Sequence, residues 1–153
     1  MTTVTLDHLT GIIDAAWGDY QSILANLSLD NPASTGGWTP RQVLSHVIGA
    51  WNRTPLQAGF FLAGANAVPV LFHDPYWISE YQNAPLPAFR AALLAALEGN
   101  KAFLRSLEPA DLDCTIPLPD FGGEVSLGSF LVNSYQRHIT DMHMPQLRAF
   151  LPT

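Results

Sequence analysis

The chain has 153 residues, about the length of one domain, and a single domain over residues 1–153 is expected. Hydrophobic residues make up 48% and charged residues 13%, which excludes a disordered chain and leaves apolar surface for a pocket or a partner. The net charge of −6, with 7 basic residues scattered singly, argues against nucleic acid, whose phosphates call for clustered Lys and Arg.

No apolar stretch reaches the length of a membrane span, so no membrane partner is expected. The opening Met1 to Asp7 has neither the basic start nor the apolar run of a secretory signal. The single cysteine, Cys114, cannot form an internal disulfide. Both features fit a cytoplasmic location.

The first helical pattern runs from about Thr5 to Leu27. Leu6, Leu9, Ile13, Ala16, Tyr20, Ile23 and Leu27 recur at steps of three and four, the seam of a bundle helix. Ser28 to Gly37 carries Asn-Pro and Gly-Gly and reads as a loop. A second helix starts at Thr39, a good N-cap, with Pro40 at the first helical position and Gln42 where a capping-box partner belongs. Pro55 predicts a kink or an end, although apolar residues continue through Phe60, Phe61 and Leu62.

Residues 64–86 form the longest connection, with a short helix expected from Asp74-Pro75 through Ile78. The third helix starts near Pro87 and follows Phe89, Leu93, Ala96, Asn100, Phe103 and Leu107. Thr115 to Pro119 and Glu124 to Leu127 flank Gly122-Gly123, which predicts a short hairpin. The fourth helix runs from about Ser126 to Phe150. The fold class is all-α: a four-helix bundle with a long connection between helices 2 and 3 and a small hairpin before helix 4.

Histidine is the informative residue type. His46 lies in the second helix, and His138 and His143 share the fourth. Facing bundle helices that project imidazoles inward build metal sites, and three imidazoles with one open position suit a catalytic ion. Imidazole suits Zn, Ni, Cu or Fe, with Zn or Ni the expected ions. The competing reading is hydrogen-bonded packing of core histidines. His138 and His143 are five apart, which in a regular α-helix separates them by about 140°. Pro145 disturbs the backbone nearby, and a π-type widening would stack residues five apart.

Other candidates have plainer readings. Asp141 could orient an imidazole, or be an exposed helix residue. His73 could line the site mouth, or be a loop residue. His8 is expected on the surface of the first helix. Trp51 and Trp77 could wall a pocket, with core packing the default. Cys114 has no basic neighbour in sequence to make it nucleophilic. Gly122-Gly123 is a turn, since no Lys-Ser/Thr follows to make a phosphate loop.

The segment Trp38-Thr39-Pro40-Arg41-Gln42-Val43-Leu44-Ser45-His46 resembles the start of the second helix in the DinB/YfiT-like four-helix bundles, where a ligand His follows the Ser/Thr by seven residues. His143-Met144-Pro145-Gln146-Leu147 is similar to that family's closing His-x-x-Gln-Ile/Leu. The resemblance spans nearly the whole chain. It implies a bundle with a crossed connection, a homodimer, and a divalent metal held by one His of helix 2 and two of helix 4.

It also implies a small-molecule substrate, and chemistry of a thiol-dependent transferase or isomerase type, with a low-molecular-weight thiol, or of a hydrolase type. His46 and His143 match the family positions. The remaining fourth-helix position falls at Ile139, one residue from His138. Two further readings stay open: a metal-free bundle that binds a small molecule or protects against a toxin, and a structural dimer.

Overall fold

A threonine side chain starts each of the first two helices. Thr5 Oγ1 accepts the backbone N–H of His8 at 3.1 Å and opens α1, Leu6–Leu24. Thr39 Oγ1 accepts from the N–H of Gln42 at 3.2 Å, and Gln42 Oε1 accepts from the N–H of Thr39 at 2.8 Å. This reciprocal capping box opens α2, Pro40–Leu62. The computed structural model describes residues 4–32, 37–66, 68 and 81–153. The short helix expected from Asp74 to Ile78, together with His73 and Trp77, lies outside the described residues.

Of the kink or end expected at Pro55, the end does not occur: α2 runs on through it to Leu62. A proline has no N–H, so the Trp51 carbonyl one turn earlier loses its helical partner. Asn100 Nδ2 donates to that carbonyl at 2.8 Å from the neighbouring helix, and the carbonyl stays satisfied. Asn100 lies on α3, Leu86–Arg105. The first and third helices stop short of Leu27 and Leu107, which are nonetheless buried in the following turns.

β1, Thr115–Leu118, pairs antiparallel with β2, Gly123–Ser126, in the register Ile116 to Val125 and Leu118 to Gly123. Gly122 and Gly123 turn the chain at φ of 88° and 135°, which side-chain-bearing residues rarely adopt. Ile116 and Leu118 are buried, so the hairpin docks one face on the core. Its last residue, Ser126, is also the N-cap of the fourth rod, with Oγ accepting from the N–H of Ser129 at 3.2 Å.

That rod is not a uniform helix. It begins as α4, Leu127–Val132, continues as a π-helix over Asn133–His143, and ends as α5, Met144–Arg148. α3 packs against both α1 and α2, and the fourth rod packs against the same two helices. α1 and α2 thus share one diagonal of the bundle, and α3 and the fourth rod share the other. The core between them includes Leu9, Ile13, Leu44, Ile48, Trp51, Leu93, Leu97, Tyr135 and Ile139, each at most 1% exposed. Among the described residues no helix is long and apolar enough to cross a membrane.

Candidate metal centre

Residues five apart face one another in the π segment. A π-helix hydrogen-bonds each residue to the fifth one back and so widens the turn. Three side-chain contacts, one of them to a backbone carbonyl, follow that spacing. Thr140 Oγ1 donates to the Tyr135 carbonyl at 2.8 Å, Gln136 Nε2 donates to Asp141 Oδ1 at 2.7 Å, and His138 Nε2 lies 3.3 Å from His143 Nε2. The widening therefore falls between the two histidines. The Met144 N–H returns to the α spacing by bonding the Thr140 carbonyl, and Pro145, which has no N–H, follows within the first turn of α5.

His46, from α2, completes the cluster. Its Nε2 is 3.3 Å from His138 Nε2, and its ring centroid is 4.5 Å from that of His143. Among the described residues, His46, His138 and His143 are the group whose donor atoms could hold a metal ion, all within 4.8 Å of one another. The three residues expected from the sequence thus converge. Ile139, at the position where the sequence resemblance implied the other His, is fully buried in the core instead.

The donor set fits an ion. Two nitrogens bound tetrahedrally at about 2.0–2.1 Å sit ~3.3 Å apart, the spacing found here. Gln146 Oε1 accepts from His143 Nδ1 at 2.8 Å, so the proton is on Nδ1 and the Nε2 lone pair is left for the cluster. His138 Nε2 faces two nitrogens with at most one proton to share. Neutral imidazoles alone satisfy only part of this geometry, whereas one cation accepts all three lone pairs.

The electrostatics keep the rings of His138 and His143 neutral. Burial, reinforced by His143 and Arg53, lowers the pKa of His138 to about 4. Burial also lowers His143, opposed by its bond to Gln146 and aided by Arg53. Neutral imidazole is the ligating form. Trp38 walls one side, stacked on His143 at 5.7 Å between centroids and edge-on to His46 at 5.2 Å.

Below the cluster lies a buried polar network that sequence reading did not pick out. Tyr135 donates its hydroxyl to Asn100 Oδ1 at 2.8 Å, and Asn100 Nδ2 donates to the carbonyls of Ala96 and Trp51, each at 2.8 Å. Burial holds the Tyr135 phenol well above its usual range, so it remains a donor. Trp51 stacks on Tyr135 at 5.0 Å and donates Nε1–H to Tyr20 Oη at 3.3 Å. The available signal was an asparagine on the core-facing seam of helix 3.

Several candidates take their plainer reading. Asp141 is exposed and bonds Gln136, so it orients no imidazole. His8 is exposed, and Trp51 is fully buried core. Cys114 is partly buried, after the short 3₁₀ turn Pro109–Asp113.

The family model of the DinB superfamily matches residues 12–133. A protein of Bacillus mycoides named as a putative metal-dependent hydrolase is 32% identical over 124 residues, covering 78% of this chain and 70% of that protein. One of the same description from Oceanobacillus iheyensis is 27% identical over 106 residues, 69% of this chain and 61% of that protein. The chain thus spans 61% and 70% of these two relatives' length. Among solved structures, YfiT from Bacillus subtilis, described as a probable metal-dependent hydrolase with an unusual four-helix bundle topology, aligns with a TM-score of 0.70. That match has 19% identity and covers 97% of this chain and 89% of the other.

Proposed function

The chain belongs to the DinB superfamily, and from that premise we propose that it is a metal-dependent hydrolase of a small molecule, with His46, His138 and His143 holding the ion. The observation that carries this reading is the convergence of three imidazole Nε2 atoms from two helices. The names of the curated relatives support the reaction class. Zn or Ni suits an all-imidazole donor set. A low-molecular-weight thiol is a second candidate reactant, because thiolates bind the same ions. We further propose a homodimer, formed through the surplus apolar surface.

A divalent ion held by His46, His138 and His143 would supply Lewis acidity and lower the pKa of water at the site. The chain's own residues do the rest. Three imidazoles present lone pairs, and burial keeps His138 and His143 neutral. Gln146 holds the proton of His143 on Nδ1, away from the cluster. Trp38 covers the cluster on one side.

The test is elemental analysis of protein purified without an affinity tag and then incubated with Zn or Ni. About one equivalent per chain is expected, lost on His46→Ala. Less than about a tenth of an equivalent eliminates the reading, as does unchanged metal content in His46→Ala.

A further inference from the structure

The π winding is the feature on which the cluster depends. In a regular α-helix His138 and His143 would point about 140° apart. π-helices are rare and mostly a single turn, yet this one spans 11 residues, Asn133–His143. Its register must be held by contacts outside the segment.

Tyr135 provides the deepest of them. It lies within the π segment, three residues before His138, and its side chain is fully buried. Its hydroxyl ends on Asn100 of α3, across the diagonal of the bundle. Both N–H groups of the Asn100 amide are committed to carbonyls, so the amide has one orientation and Oδ1 must face the tyrosine. One of those carbonyls is that of Trp51 on α2, available because Pro55 lacks an N–H. α2 is also the helix that carries His46. A chain of hydrogen bonds therefore runs from the backbone of the His46 helix, through α3, to the segment bearing the other two imidazoles.

A slip of the fourth rod by one residue would carry the Tyr135 hydroxyl about 1.5 Å along the axis and rotate it away from Oδ1. Thr54 adds a tie on the same side of the bundle, 2.7 Å from the Ser134 hydroxyl.

We propose that Asn100 is a positioning residue: through Tyr135 it fixes the π register of the fourth rod, and so sets the affinity of a metal it does not touch. The metal half of this inference rests on the function proposed above; the register half does not.

Tyr135→Phe removes one oxygen and keeps the ring that stacks on Trp51. Zinc affinity, read by chelator competition, is expected to weaken at least about tenfold, with an altered cobalt absorption spectrum and retained helical circular dichroism. Asn100→Leu is expected to weaken it further. Leu112→Ala, a buried site beside Gly128 at the start of the fourth rod, controls for destabilisation and is expected to lower Tm without changing zinc affinity. Wild-type affinity in Tyr135→Phe, or an equal loss in Leu112→Ala, overturns the proposal.

A crystal structure of metal-free Tyr135→Phe reads the register directly. The His138–His143 Nε2 separation is expected to widen beyond 3.3 Å, and an unchanged separation overturns the register claim. His46→Ala is the separate arm: if it binds zinc like the wild type, the metal reading falls, and the register is still decided by the crystal structure.

Discussion

His138 and His143 stand five residues apart in sequence with their Nε2 atoms 3.3 Å apart in space. Only a widened helix allows this, and the same winding turns Ile139 into the core, where it is fully buried. The chain therefore reaches a three-imidazole cluster with one imidazole a residue away from the position that the sequence resemblance implied, and a π segment absorbs the displacement.

A relocated ligand tests that relationship. Moving the imidazole to the family position, in the double variant His138→Ala, Ile139→His, is expected to leave zinc binding lost rather than restored. The new imidazole would replace a fully buried isoleucine and is expected to destabilise the protein by about 2 kcal/mol or more, through a buried polar group and lost packing. Bound zinc per chain and the urea midpoint check both statements. Restored zinc would show that the rod can rewind as an α-helix.

Much of this was legible in the sequence because it is written locally. Thr39, Pro40 and Gln42 specify a capping box by spacing alone, and the structure contains it. The Gly122-Gly123 turn announces the hairpin in the same way. Pro145 flagged an irregular fourth helix, but not its extent, because the π winding is set by contacts far away in sequence. Asn100 bonds residues 35 and 49 positions distant, and no periodicity reveals those partners. Pro55 left a kink or an end open for the same reason: the group that replaces its missing hydrogen bond comes from another helix.

Gln146 is expected to control metal affinity without touching the ion. It fixes the proton of His143 on Nδ1 at 2.8 Å. Gln146→Leu frees the imidazole to rotate and to change tautomer. Zinc affinity is expected to fall about 10- to 100-fold, with little change in Tm of the metal-free protein. Chelator competition and a thermal melt separate the two, and an unchanged affinity contradicts the orienting role.

Tyr20 anchors the opposite end of the polar network. It is fully buried and accepts the indole N–H of Trp51 at 3.3 Å. Tyr20→Phe keeps the ring and leaves that N–H without its acceptor. The expected cost is about 1–3 kcal/mol in urea unfolding. Because Tyr20 is on α1 and contributes no ligand, zinc affinity is expected to hold, in contrast to Tyr135→Phe.

Acid is expected to destabilise the metal-free protein specifically. The His138 pKa is lowered from 6.5 to about 4, by burial first and then by His143 and Arg53, and His143 shifts in the same direction. A histidine held below its unfolded value takes up its proton more readily in the unfolded chain. Stability is therefore unaffected by this group well above pH 6.5 and falls as the pH drops from 6.5 toward about 4. Thermal melts of chelator-treated protein across that range should show a declining Tm, and His138→Ala should flatten the decline. A wild-type Tm that stays level to about pH 4 would mean that His138 protonates in the folded state as easily as in the unfolded one.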